Sequence, residues 1–130
     1  MTIIVAYTPD EPSRHALRFA ATEAQHRGEP VVVVNSSRGT APVDRQLAEE
    51  SDLEQIRSMM ASANVAHSIE QPNRGNDPVE EVLAAIDNHK ASMVVIGTRK
   101  RSPVGKLLLG STAQQIILQS EVPVVAVKPV

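Results

Sequence analysis

Met93-Val94-Val95-Ile96-Gly97-Thr98-Arg99-Lys100-Arg101-Ser102-Pro103-Val104-Gly105-Lys106-Leu107-Leu108-Leu109-Gly110-Ser111-Thr112 is the stretch whose reading decides the fold. Its apolar start, Met93 to Ile96, predicts a strand buried on both faces. Gly110-Ser111-Thr112 predicts a helix start, with Ser111 and Gln114 at capping-box spacing. Between them runs a loop rich in glycine and base. At such a junction, free backbone N–H groups and the positive end of a helix dipole face whatever docks there. If the chain binds a nucleotide, its phosphates are expected on this loop.

Outward from that stretch, the chain alternates strand and helix. Ile3 to Ala6 and Val31 to Val34 read as two more buried strands, joined by a polar, proline-broken loop from Thr8 to Pro12 and a helix. Leu17, Ala20, Ala21 and Ala24 mark that helix, and Gly28 ends it. Leu53, Ile56, Met60 and Ala63 place a second helix over roughly Asp44 to Ala63. Val65 to Glu70 alternates and reads as an edge strand. Asp77-Pro78-Val79-Glu80 starts a third helix, whose buried stripe is Val79, Val82, Leu83 and Ile86. Ile116, Ile117 and Leu118 carry the last helix, and Val122 to Lys128 the last strand. The order β-α-β-α-β-α-β-α-β predicts an α/β open five-stranded parallel sheet with helices on both faces. Ligands of such sheets sit beyond the carboxyl ends of the strands, where strand order reverses. The first and fourth strands are the natural central pair, which brings Tyr7-Thr8 and Gly97 to the crevice.

The 130 residues make one domain, 1–130, with an aliphatic core, since aromatic residues are only 2% of the chain. A net charge of −2 argues against bulk nucleic-acid binding. The lack of cysteine removes thiolate catalysis and zinc–sulfur sites. No signal peptide is visible at Met1 to Val5, and no apolar run approaches membrane-spanning length, so a cytoplasmic protein without a membrane partner is expected.

The whole chain resembles a single-domain universal stress protein. Nucleotide-binding members carry Gly, two residues, Gly, nine residues, then Gly-Ser or Gly-Thr. Gly97, two residues, Lys100, nine residues and Gly110-Ser111 reproduce that spacing. Ser120 to Pro129 also resembles the family's final strand. The resemblance implies an adenine nucleotide alpha hydrolase-like fold with strand order 3-2-1-4-5. It implies ATP, with or without magnesium, as ligand. It also implies a homodimer joined through the last strand, Val122 to Lys128. An apolar edge strand gives that dimer a physical motive as well. Three positions depart from the family. Lys100 replaces the second glycine, Thr8 stands where members usually have Asp, and Asn35-Ser36-Ser37 is more polar than the usual end of strand two.

The residues expected at the nucleotide are Tyr7, Thr8, Asp10, Ser36, Ile96, Gly97, Arg99, Lys100, Gly110, Ser111 and Thr112. Arg99 and Lys100 would neutralise phosphate charge. Ser111 and Thr112 would donate hydroxyl hydrogen bonds. Tyr7, Thr8 and Asp10 would border base and ribose. No catalytic residue is named, because no serine near the crevice has an evident general base and no water-positioning group is identifiable. A P-loop is excluded, since Leu107 follows Gly105-Lys106 and the preceding glycine is too distant. His15, His26, His67 and His89 show no metal-ligand spacing. Glu49, Glu50, Asp52 and Glu54 read as a solvated helix face. Two functions follow: an ATP-binding stress regulator, or a dimeric interaction module whose nucleotide crevice is degenerate. A basic loop that binds another anion is the weaker third.

Overall fold

A computed structural model describes residues 1–36, 47–72, 75–99 and 109–128. The elements are β1 (Thr2–Ala6), α1 (Glu11–Arg27), β2 (Val31–Val34), α2 (Glu50–Ser62), β3 (His67–Glu70), α3 (Pro78–Asn88), β4 (Ala91–Gly97), α4 (Ser111–Gln119) and β5 (Val124–Val127). They form one five-stranded sheet in the order β3-β2-β1-β4-β5. Every neighbouring pair is parallel, with Val5 opposite both Val33 and Val95 at the centre. The expected topology is therefore observed.

The period-two alternation of the strands divides the core into two layers. Ile3, Val5, Val31, Val33, Met93 and Val95 pack with Leu17 and Ala20 of α1 and Ile56 and Met60 of α2. Ile4, Val32, Val34, Val94 and Ile96 pack on the other face with Val79, Val82 and Ile86 of α3 and Ile116 of α4. Each such buried side chain contributes about 1.5–3 kcal/mol of transfer free energy. That is why the central strands β1, β2 and β4 each carry a run of Val and Ile, while the edge strand β3 is only half-buried.

Three helix starts differ from the sequence reading, each for a local reason. Helix α1 begins at Glu11, inside the stretch expected to be loop. Asp10 caps it, and Pro12 is tolerated in the first turn because its missing N–H would have had no intrahelical partner. Helix α2 begins at Glu50, where Glu49 N–H donates to Asp52 Oδ2 at 2.9 Å; Asp44 lies outside the described residues. Helix α4 is capped by Gly110, so Ser111 is its first residue rather than its cap. Of its three consecutive apolar residues only Ile116 is buried; Ile117 is 40% and Leu118 83% exposed. Steps of about 100° per residue allow one of three neighbours to face the sheet. Gly28 ends α1 with φ +67°, as expected of a left-handed cap. No helix among the described residues is long and apolar enough to cross a membrane.

Candidate functional site

A cleft of about 460 Å³ opens over the carboxyl ends of β1, β2 and β4. Tyr7, Thr8, Asp10, Ser36, Ile96, Gly97, Arg99, Gly110, Ser111 and Thr112 all line it. Lys100, the remaining residue expected there, lies outside the described residues. The floor is Ala6, Val34, Ile96, Val82 and Ile116, all of the α3/α4 core layer. Its walls are two helix starts, those of α1 and α4.

The α1 wall is closed on itself. Ser13 N–H donates to Asp10 Oδ1 at 2.9 Å, and the Thr8 hydroxyl donates to Asp10 Oδ2. Thr8 N–H donates to Ser13 Oγ at 3.0 Å. The two hydroxyl oxygens lie 3.3 Å apart, and with the Thr8 proton on Asp10, the Ser13 proton completes that contact. Every side-chain proton of the trio is thus held inside it. What this rim offers a ligand is lone pairs on Thr8 Oγ1 and Asp10. Asp10 is first of all a helix cap.

The α4 wall is open. Helices α1, α2 and α3 carry acidic residues in their first turns, and Asp10 and Asp77 cap α1 and α3. Helix α4 has neither an acid in its first turn nor a side-chain cap. The N–H groups that begin it have no intrahelical partner, and no first-turn acid opposes its dipole. Gln114 does not cap them: its Nε2 donates to Leu109 O at 3.0 Å. Among the described residues, a Cβ built on Gly110 would meet nothing nearer than Arg99 Nη2 at 3.9 Å. Arg99 is the cation lining the cleft among the described residues.

Gly97 is a glycine for a different reason. A Cβ there would fall 2.2 Å from the carbonyl oxygen of Pro12. Its lack of a side chain lets the end of β4 close against the first turn of α1.

The end of β2 is tied down beneath the cleft. The fully buried Asn35 donates through Nδ2 to Tyr7 O at 3.0 Å. Its Oδ1 accepts from Ala48 N–H at 2.8 Å and from Gln71 Nε2 at 3.1 Å. The ends of β1, β2 and β3 are joined through this one amide. Tyr7, 3% exposed, belongs to the α1/α2 core layer. Burial, and then the Asp52 carboxylate, push its phenol above the ordinary value, so it is neutral and no general base at neutral pH. Ser36, beside Asn35, is buried, and its Oγ has no hydrogen-bond partner among the described residues.

Pro12, Ser13, Pro78, Val82 and Ile116 also line the cleft. In the sequence they look like cap, breaker and core residues. Ser13 alone carried a signal, standing three residues after a capping Asp. The acidic residues of α2 are engaged at the surface: Arg57 pairs with Glu54 at 2.8 Å and Glu50 at 3.1 Å. His89 pairs with Glu70 at 2.8 Å. No cluster of metal-ligating side chains occurs among the described residues.

Comparison with known proteins bears on this geometry. The family model described as the universal stress protein family matches residues 1–128. A universal stress protein of Mycolicibacterium smegmatis is 40% identical over 127 residues, covering 98% of this chain and 97% of its own. A solved universal stress protein of Archaeoglobus fulgidus superimposes with a TM-score of 0.81 at 32% identity, covering 98% of this chain and 97% of its own. Another structure, of the universal stress protein from Archaeoglobus fulgidus in complex with dAMP, has a TM-score of 0.70 at 25% identity and covers 98% of this chain and 96% of its own.

Proposed function

This chain belongs to the universal stress protein family, and from that premise we propose that it is a cytoplasmic regulatory protein of the stress response that binds an adenine nucleotide, ATP or a shorter adenosine phosphate. The open start of α4 carries this reading. Among the described residues, it combines N–H groups without a side-chain cap, a first turn without an acid, a nearby arginine and a glycine with free space where a side chain would stand. Such a helix start is a ready anion site. A phosphate seated on Ser111 to Ala113 would be neutralised by Arg99. The sugar would then cross the Thr8–Asp10 rim, whose lone pairs suit its hydroxyl groups. A cleft of about 460 Å³ is of the size that takes a small-molecule ligand. The dAMP complex of the archaeal relative supports an adenosine phosphate as the ligand class.

Nothing in the rim is arranged for hydrolysis, and binding is the proposed activity. Magnesium would enter with a triphosphate rather than on a dedicated carboxylate, because both oxygens of Asp10 already accept a hydrogen bond. The proposal includes a homodimer through Val122 to Lys128. Among the described residues, strand β5 pairs with β4 alone, and its valines are half-buried. Ile117 and Leu118 are exposed just before it.

Melting of nucleotide-stripped protein with AMP, ADP and ATP, with and without magnesium, tests the reading. A ligand at about 100 times its dissociation constant stabilises by about 2.7 kcal/mol. Gly110→Val, which fills the space at the start of α4, is expected to abolish that shift. A flat response of the unmodified chain to every nucleotide at millimolar concentration would leave the interaction module. Stabilisation by polyphosphate that ATP does not compete away would favour the other-anion reading.

A further inference from the structure

Helix α4 is the least anchored helix among the described residues. It has 9 residues, a length at which an isolated helix is marginal. It buries one residue, Ile116, where α1 buries six, α3 five and α2 three. Its start, Ser111 to Ala113, opens on the cleft with no side-chain cap and no acid. Its last turn carries Ile117 and Leu118, 40% and 83% exposed. That turn leads into β5 through Ser120, whose hydroxyl donates to Val122 O at 2.8 Å. The outer edge of β5 is unpaired among the described residues.

One short helix thus has its first turn at the cleft and its last turn at the edge where a second copy of the chain would pair. Resting on the nucleotide and homodimer readings above, we propose that α4 couples the two: nucleotide strengthens the dimer, and the dimer strengthens nucleotide binding. A phosphate supplies the partner that the first N–H groups of α4 lack, and so favours the formed helix over a frayed one. The formed helix holds Ile117 and Leu118 in place beside β5. A second copy that pairs with the β5 edge and covers these two side chains favours the same state. Two ligands that prefer one state of a shared element raise each other's affinity by the same factor.

The test follows the full chain by sedimentation velocity over a dilution series, without ligand and with saturating AMP. Leu118→Ala, a weaker dimer, brings a tight association into range. AMP is expected to lower the dimer dissociation constant about 5-fold or more. Gly110→Asp, which caps α4 from within the chain, is expected to tighten the dimer with no AMP present. Leu118→Lys puts a charge where the second copy would pack, on a residue that does not line the cleft. It should bind AMP about 5-fold more weakly than the parent dimer does. A dimer that binds AMP with no change in its dissociation constant would overturn the inference and leave both readings intact. Equal AMP affinity for Leu118→Lys and the parent, or a Gly110→Asp dimer no tighter than the parent, would overturn it too. Failure to bind AMP at millimolar concentration would remove the nucleotide reading. A chain monomeric at every concentration would remove the homodimer, and the inference falls with either.

Discussion

The two helix starts that wall the cleft solve the same problem in opposite ways. Both α1 and α4 begin with backbone N–H groups that lack intrahelical partners. At α1, Asp10 takes the Ser13 N–H, Thr8 holds Asp10, and β4 closes in until only a glycine fits at position 97. At α4, Gly110 brings no side chain, the first turn carries no acid, and the space above is open among the described residues. One start is completed by the protein. The other is left for something else to complete. Two glycines of one spaced motif thus differ: Gly97 serves the fold, and Gly110 is proposed to serve the ligand.

Substitutions can break this comparison, and the largest effect is expected at Gly97. Gly97→Ala sets a methyl group against a backbone carbonyl that cannot swing aside. Overpacking of this kind costs about 1–3 kcal/mol, and a backbone neighbour places this case near the top of that range. Chemical denaturation should show the loss with or without nucleotide. Gly110→Asp comes next and should separate stability from binding. The aspartate would cap α4 and oppose its dipole, raising stability by about 0.5–1 kcal/mol. It would also put a negative charge where phosphate is proposed to sit, so AMP affinity should fall by more than about tenfold. A Gly110→Asp protein that still binds AMP normally would refute the asymmetry between the two starts.

Asp10→Ala removes the completed cap and should cost about 1 kcal/mol, within the usual range for an N-cap. The smallest effect is alkaline. Tyr7 has its phenol raised above the ordinary value of 10.0, chiefly by burial. The stability that its neutral form contributes is complete below pH 10 and is lost as pH rises through the folded-state value. Tyr7→Phe should therefore flatten the decline of stability above pH 10, as followed by urea midpoints across that range.

How far the sequence could be read depended on whether a signal was local. Strands β1, β2 and β4 were legible because unbroken Val and Ile runs have few alternatives to a doubly covered strand. The start of α3 was legible because Asp77 and Pro78 act within one turn. The start of α2 was not. Leu53, Ile56 and Met60 define a face without an end, and the acidic residues before them cap equally well at several positions. Ile117 and Leu118 look like core beside Ile116, yet only geometry decides which of three neighbours faces the sheet. The cleft-lining residues expected at strand ends and at the last helix start could be placed because parallel sheets put ligands there. The close approach of Pro12 to Gly97 joins residues far apart in the chain, and no spacing announces it. The missing partner of Ser36 Oγ is equally invisible, since a hydroxyl with no bond looks in sequence like any other serine.

The central claim, that α1 is complete while α4 awaits a phosphate, is tested most directly by backbone amide spectra during titration with AMP. The account predicts that the amides of Ser111, Thr112 and Ala113 shift downfield in a saturable way as they gain hydrogen bonds. It predicts that the Ser13 amide, already bonded to Asp10, moves far less. Unmoved amides at positions 111–113 with millimolar AMP present would contradict it.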